Sequence, residues 1–154
     1  MSGYDVATPY TSVQLLFRHE GKVAFILREH TGWMDGFYAL PGGKVEKDER
    51  FIAAAVREAK EETGADVEPA DLRHVLTAHH KSSDSVWVCV IFEVARWKSE
   101  LRNAEPHMHG ELAWFELDKL PKNTLPTDHY YLAQIQSGQT YGEYGWQKSA
   151  TSIS

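Results

Sequence analysis

Gly43 to Ala65 reads GKVEKDERFIAAAVREAKEETGA, a glycine-containing loop running into an amphipathic helix. The alanine-rich run through Val56 favours helix. Asp48 is placed to cap its start, and Gly64 supplies the left-handed residue expected just past the last turn. At about 100° per residue, Ile52, Ala55, Val56, Ala59 and Thr63 form one apolar stripe that packs on a core. Glu58, Glu61 and Glu62 fall together on a flank beside that stripe. Like charges four residues apart cost a helix roughly 0.2–0.5 kcal/mol per pair, so Glu58 over Glu62 is locally unfavourable. Arg57 can pair with Glu61, though in the weaker of the two orientations. Three carboxylates on one turn become favourable when a hard divalent cation sits among them, and Mg²⁺ takes oxygen ligands that it shares with waters and phosphates.

The surroundings of these acids match a longer pattern: Gly, five residues, Glu, seven residues, Arg-Glu, an apolar residue, any residue, Glu-Glu, any residue, Gly, and an apolar residue. The positions fall on Gly43, Glu49, Arg57, Glu58, Ala59, Glu61, Glu62, Gly64 and Ala65. In this the stretch resembles the Nudix box. The one departure is alanine at both apolar positions, which thins packing and touches no chemistry. So many identities at fixed offsets are a specific signal. Leu40-Pro41-Gly42 before the box also fits, as does the strand pattern around it.

Outside the box, 154 residues are one domain's worth, long enough for a proper core. The last residues, about 147–154, read as a flexible tail. A net charge of −6 argues against a nucleic-acid polymer or an anionic membrane as partner. It leaves nucleotides open, since a bound cation supplies the positive charge that phosphates need. The single cysteine, Cys89, fits a reducing compartment. With no long apolar run and no basic-then-apolar leader, the sequence reads as a soluble, cytoplasmic protein, a monomer or a homodimer.

Thr11–Arg18 and Lys22–Arg28 are β-rich runs joined by His19-Glu20-Gly21, a hairpin or an adjacent pair. The loop 29–36 follows, then the short strand Phe37–Leu40 stopped by Pro41. Leu72–Ala78 and Glu111–Leu117 are further strands. Val86–Val94 is nearly unbroken apolar and reads as a central strand buried on both faces, with Cys89 as inert core. Thr127–Gln136 is the second helix. The reading is an α+β protein with a mixed sheet between helices, and the resemblance implies the α/β/α Nudix sandwich.

The resemblance also implies a reaction, in which a water activated by metal and a glutamate attacks one phosphorus of a nucleoside diphosphate linked to another group. Carried over by position, Glu58, Glu61, Glu62 and the Gly43 carbonyl hold Mg²⁺, or Mn²⁺ in its place. Glu58 or Glu61 is the base, and Glu49 with Arg57 orients the others. A further acid is expected from 103–111, with Glu105 and Glu111 as candidates. His107 and His109 share a face if extended, but with no third nitrogen or sulfur ligand evident they read as a solvated loop. Asn103-Ala104-Glu105-Pro106 and the Trp33–Tyr38 segment resemble the branch that hydrolyses nucleoside triphosphates, including oxidised guanine nucleotides. Trp33, Phe37 and Tyr38 are the aromatic candidates for the base, then Tyr130, Tyr131 and Trp146; Leu40, Gly42 and Glu105 complete the substrate side. ADP-ribose members of the family carry a proline about fifteen residues past the box, and dinucleoside-polyphosphate members a tyrosine slightly later; His80 and Ser82 stand there. The expected function is Mg²⁺-dependent cleavage of a nucleoside triphosphate to monophosphate and pyrophosphate. The alternatives are an NDP-sugar or similar conjugate as substrate, and a non-enzymatic nucleotide sensor.

Overall fold

A computed structural model describes residue 3 and residues 5–146; the expected tail at 147–154 lies outside them. The strands are β1 (Tyr10–His19), β2 (Lys22–Arg28), β3 (Tyr38–Ala39), β4 (Gly42–Lys44), β5 (Leu72–Lys81), β6 (Val86–Val94), β7 (His109–Glu116) and β8 (Tyr141–Tyr144). The helices are α1 (Phe51–Thr63) and α2 (Pro126–Gln136). The sheet runs β3-β2-β1-β6-β5-β8, with β4 also on β1 and β7 also on β2. It is mixed, since β1 with β6 and β5 with β8 are parallel while the other pairs are antiparallel.

Side-chain alternation sorts the core onto the two faces. Val13, Leu15 and Phe17 of β1 join Val90, Phe92 and Val94 of β6 beneath Ala54, Ala55 and Ala59 of α1. Leu16, Cys89 and Ile91 face the other way, onto Tyr131 and Leu132 of α2. The sheet therefore lies between the helices, as expected. The run Cys89–Phe92 is buried throughout, which explains its uninterrupted apolarity. Cys89 accepts a hydrogen bond from the Ser12 hydroxyl at 3.0 Å, and burial pushes its thiol pKa up.

Two details of the box helix differ from expectation. Its N-cap is Arg50, without a side-chain cap; Asp48 sits in the preceding turn at φ 62°, a conformation that Asp tolerates. Its inward face is Ala54, Ala55, Glu58, Ala59 and Thr63, while Ile52 is 43% exposed and Val56 only partly covered. Alanine brings the helix close to the sheet, and the same rotation carries Glu58 inward. Gly64 ends the helix at φ 75°, as expected.

The strand β4 puts the glycines where they matter. Gly42 and Gly43 pair antiparallel with Gln14 and Val13 on the edge of β1. Leu15 N–H donates to Pro41 O at 2.8 Å and Val45 N–H to Thr11 O at 2.9 Å, pinning both ends. A Cβ on Gly42 would meet Val13 O at 2.1 Å, so no other residue fits this register. The last strand, β8, lies just before the expected tail. It pairs with β5 through Thr77–His80.

Candidate functional site

Arg57 organises the acidic flank of α1. Its Nε and Nη2 form a fork on Glu49 at 2.8 and 3.0 Å, and its Nη1 donates to Glu58 at 2.8 Å and to Glu61 at 2.9 Å. Nη2 also donates to the Lys44 carbonyl at 3.0 Å, tying the helix to β4. The fork holds the Glu49 carboxyl down at about 2. Glu58 and Glu61 reach one nitrogen from two turn positions, so a single guanidinium collects them.

Glu58 and Glu62 sit deeper. Glu58 is 8% exposed, and its carboxylate lies against Gly43, where a Cβ would come within 2.4 Å of Oε1. Burial raises its pKa against the opposing pull of Arg57, with Glu61 and Glu105 adding repulsion. Glu62 accepts the Gly42 N–H at 3.1 Å. Burial first, and then the negative charges of Glu58 and Glu105, push its carboxyl up to about 8 despite that bond.

The segment after Leu101 completes the cluster. Arg102 N–H donates to Thr63 O at 3.0 Å and Ala104 N–H to Glu62 O at 3.1 Å, so the end of α1 holds it. Met108 and His109 N–H close a turn on Glu105 O at 2.9 and 3.0 Å, and Asn103 Nδ2 donates to His109 O at 2.8 Å. Glu62, Glu105 and His109 thereby offer ligand atoms within 4.8 Å of one another. Glu105 is the expected loop acid that comes to the cluster; burial and the nearby Glu61 raise its pKa. Glu111 instead accepts the Tyr38 hydroxyl, which pushes that phenol up to about 12. His107 is exposed as expected, but His109 is not in a solvated loop. It opens β7 at 5% exposure, opposite Arg28.

The other substrate-side residues scatter. Trp33 is 57% exposed, with the Arg28 guanidinium 5.0 Å from its ring centre. Phe37 and Tyr38 are half-buried, and Tyr38 packs edge-on to Phe115. Tyr131 is core, 2% exposed, its hydroxyl on Cys89; packing removes it from the surface a base would need. Tyr130 packs on Tyr144, and the Trp146 indole donates to His79 O at 2.9 Å. Leu40 is buried, its N–H bound to Asp128 Oδ2 at 2.7 Å. Sequence reasoning passed over Asp128. It is fully buried, accepts Gln14 Nε2 at 3.0 Å, and anchors the chain just before β4. Its only signal was an acid in the first turn of a helix opened by Pro126.

The donor set suits a hard divalent ion: Glu62 and Glu105 offer carboxylate oxygens close together, and Glu58 and Glu61 add two more on the Arg57 side. The missing Cβ of Gly43 is the space that the Glu58 carboxylate uses. Gly43→Ala is expected to leave the thermal midpoint nearly unchanged, because a side-chain end can swing aside. It should weaken Mn²⁺ binding roughly tenfold, the scale of losing a residue that places a ligand. Titration calorimetry beside a melting curve checks both; a large drop in melting temperature with intact metal binding would contradict it.

A family model described as NUDIX domain matches residues 8–135. A protein from Methanocaldococcus jannaschii named ADP-ribose pyrophosphatase is 31% identical over 121 residues, covering 79% of this chain and 69% of its own length. One from Proteus vulgaris named 8-oxo-dGTP diphosphatase is 39% identical over 75 residues, or 49% of this chain and 62% of that protein. Among solved structures, a MutT NUDIX hydrolase from Burkholderia pseudomallei superposes with a TM-score of 0.76 at 28% identity, covering 83% of this chain and 98% of the other.

Proposed function

The chain belongs to the Nudix family of hydrolases acting on pyrophosphate bonds, and from that premise we propose that its substrate is a nucleoside triphosphate, with oxidised purines included, cleaved to monophosphate and pyrophosphate. Metal-dependent cleavage of a pyrophosphate bond rests on the convergence of Glu58, Glu62 and Glu105 beside the Gly42–Gly43 strand, with Glu61 gathered in by Arg57. The relative named 8-oxo-dGTP diphosphatase supports the choice of a triphosphate. No helix among the described residues is long and apolar enough to cross a membrane.

Glu58, Glu61, Glu62, Glu105 and the Gly43 carbonyl are the groups to hold Mg²⁺ or Mn²⁺. A dication there offsets charge on the phosphate oxygens and lowers the pKa of a bound water. Arg57 fixes the orientation of Glu58 and Glu61 while Glu49 fixes Arg57, so the acids present one geometry rather than many. Glu58, with its pKa raised by burial, and Glu61, held on the same Arg57 nitrogen, are the two candidate bases. Trp33, exposed beside β3, is the side chain most accessible for stacking on a base.

The test is a panel of normal and oxidised (d)NTPs, NDP-sugars and ADP-ribose, assayed with and without Mg²⁺ and read by product identity. Monophosphate and pyrophosphate from triphosphates are the expected products. Cleavage of ADP-ribose or a nucleotide sugar with triphosphates untouched would favour the second reading, an NDP-X pyrophosphatase, which the relative named ADP-ribose pyrophosphatase supports. Nucleotide binding without any turnover, unchanged by Glu61→Gln, would point to a sensor.

A further inference from the structure

His109 is 5% exposed, and its Nδ1 has no hydrogen-bond partner among the described residues. The nearest carboxylate oxygen, Glu105 Oε1, stands 4.0 Å away, too far for a hydrogen bond. Glu62 completes a trio whose ligand atoms lie within 4.8 Å of one another. Two ligands bound at about 2.1 Å to one ion stand roughly 3–4.2 Å apart, so the imidazole and the carboxylate are spaced for a shared cation rather than for each other.

From this juxtaposition we propose that Glu62, Glu105 and His109 form a mixed oxygen–nitrogen site, sharing Glu62 with the box acids, that takes a transition-metal dication in preference to Mg²⁺. The inference rests on the reading of the cluster as a metal centre and adds to it a nitrogen ligand, and with it a choice of metal. Mg²⁺ asks for oxygen ligands and keeps its waters, whereas a site with an imidazole nitrogen gains affinity along the first-row dications from Mn²⁺ upward. The chain makes the site rigid. Ala104 N–H is tied to Glu62 O at 3.1 Å, His109 N–H to Glu105 O at 3.0 Å, and Asn103 Nδ2 to His109 O at 2.8 Å. The three ligands are thus fixed to one another through backbone before any ion arrives. Imidazole ligands bind as the neutral ring, and burial in this pocket favours that form.

Mn²⁺ is the probe. Pulsed electron paramagnetic resonance of the Mn²⁺-loaded wild-type chain should show modulation from a directly bound imidazole nitrogen, and His109→Gln should remove it. Calorimetry should show Mn²⁺ binding weakened roughly tenfold or more in His109→Gln, with Mg²⁺ binding little changed. Mn²⁺ bound to wild type without nitrogen modulation would overturn the proposal whether or not the variant folds, and so would modulation that survives His109→Gln. If Glu61→Gln then still weakens Mn²⁺, the box centre stands and only the nitrogen ligand falls. A wild type that binds no Mn²⁺ would sink both.

Discussion

Glu62→Gln should lower turnover about a thousandfold while raising the melting temperature of the metal-free protein at pH 8. A bound metal supplies several kcal/mol of charge stabilisation in the transition state, and each 1.36 kcal/mol is about tenfold in rate, so losing an anionic ligand reaches that scale. The stability gain has a separate cause. Burial, with Glu58 and Glu105 nearby, lifts the folded pKa of Glu62 to about 8 from its ordinary value of 4.5. Because the folded value lies above the unfolded one, the contribution is fully present below pH 4.5 and is lost as pH rises through about 8. Ionised Glu62 therefore strains the metal-free fold at alkaline pH, and glutamine removes that strain while still accepting the Gly42 N–H. The gain should be on the order of 1–3 kcal/mol at pH 8 and vanish near pH 4. With saturating Mn²⁺ the order reverses, since the wild type gains more from the ion. Scanning calorimetry at pH 4 and pH 8, with chelator and with metal, reads all of this. A variant less stable than wild type at pH 8 in chelator would refute the account.

Arg57→Lys should cost turnover about 10–100-fold, the range for residues that orient metal ligands. Lysine keeps the charge and loses the fork. One ammonium cannot span Glu49 in two places while also reaching Glu58, Glu61 and the Lys44 carbonyl, as the guanidinium does at 2.8–3.0 Å. Glu49 reports the loss directly. Its carboxyl, held at about 2 by Arg57, should move up toward the ordinary carboxylate range, visible by carbon-detected NMR titration. A depressed folded pKa stabilises above the ordinary value and is lost as pH falls through the folded one. The variant should therefore begin acid unfolding at higher pH. Since Arg57 and Glu49 act as a unit, Glu49→Gln added to Arg57→Lys should cost little more than either alone. Full additivity of the two would contradict the shared role.

Several features were legible because they are local. Lys22–Arg28 and Val86–Val94 were bounded correctly as strands, since β-rich apolar runs ended by polar or turn residues mark their own limits. Gly64 announced the end of α1 because only a left-handed residue closes that turn well. The opposite error came from the same kind of evidence: periodicity put Ile52 inward, yet a helix of alanines has two faces of similar polarity, and the sheet chose the smaller one. Tyr131, named as a second-rank candidate for stacking on a base, is core. The strand β8 has a glycine in its four residues and pairs only because β5 offers an edge.

By itself the sequence determined the box: which acids share a helical turn, where that helix stops, and hence the family, because these depend on offsets of a few residues along one chain. The tertiary structure alone decided that Glu58 turns inward against Gly43, that Glu105 and not Glu111 meets Glu62, and that His109 is buried beside them. Those outcomes depend on backbone hydrogen bonds between the end of α1 and a loop far along the chain, and on the β1 edge that seats the two glycines. No local pattern encodes contacts of that range.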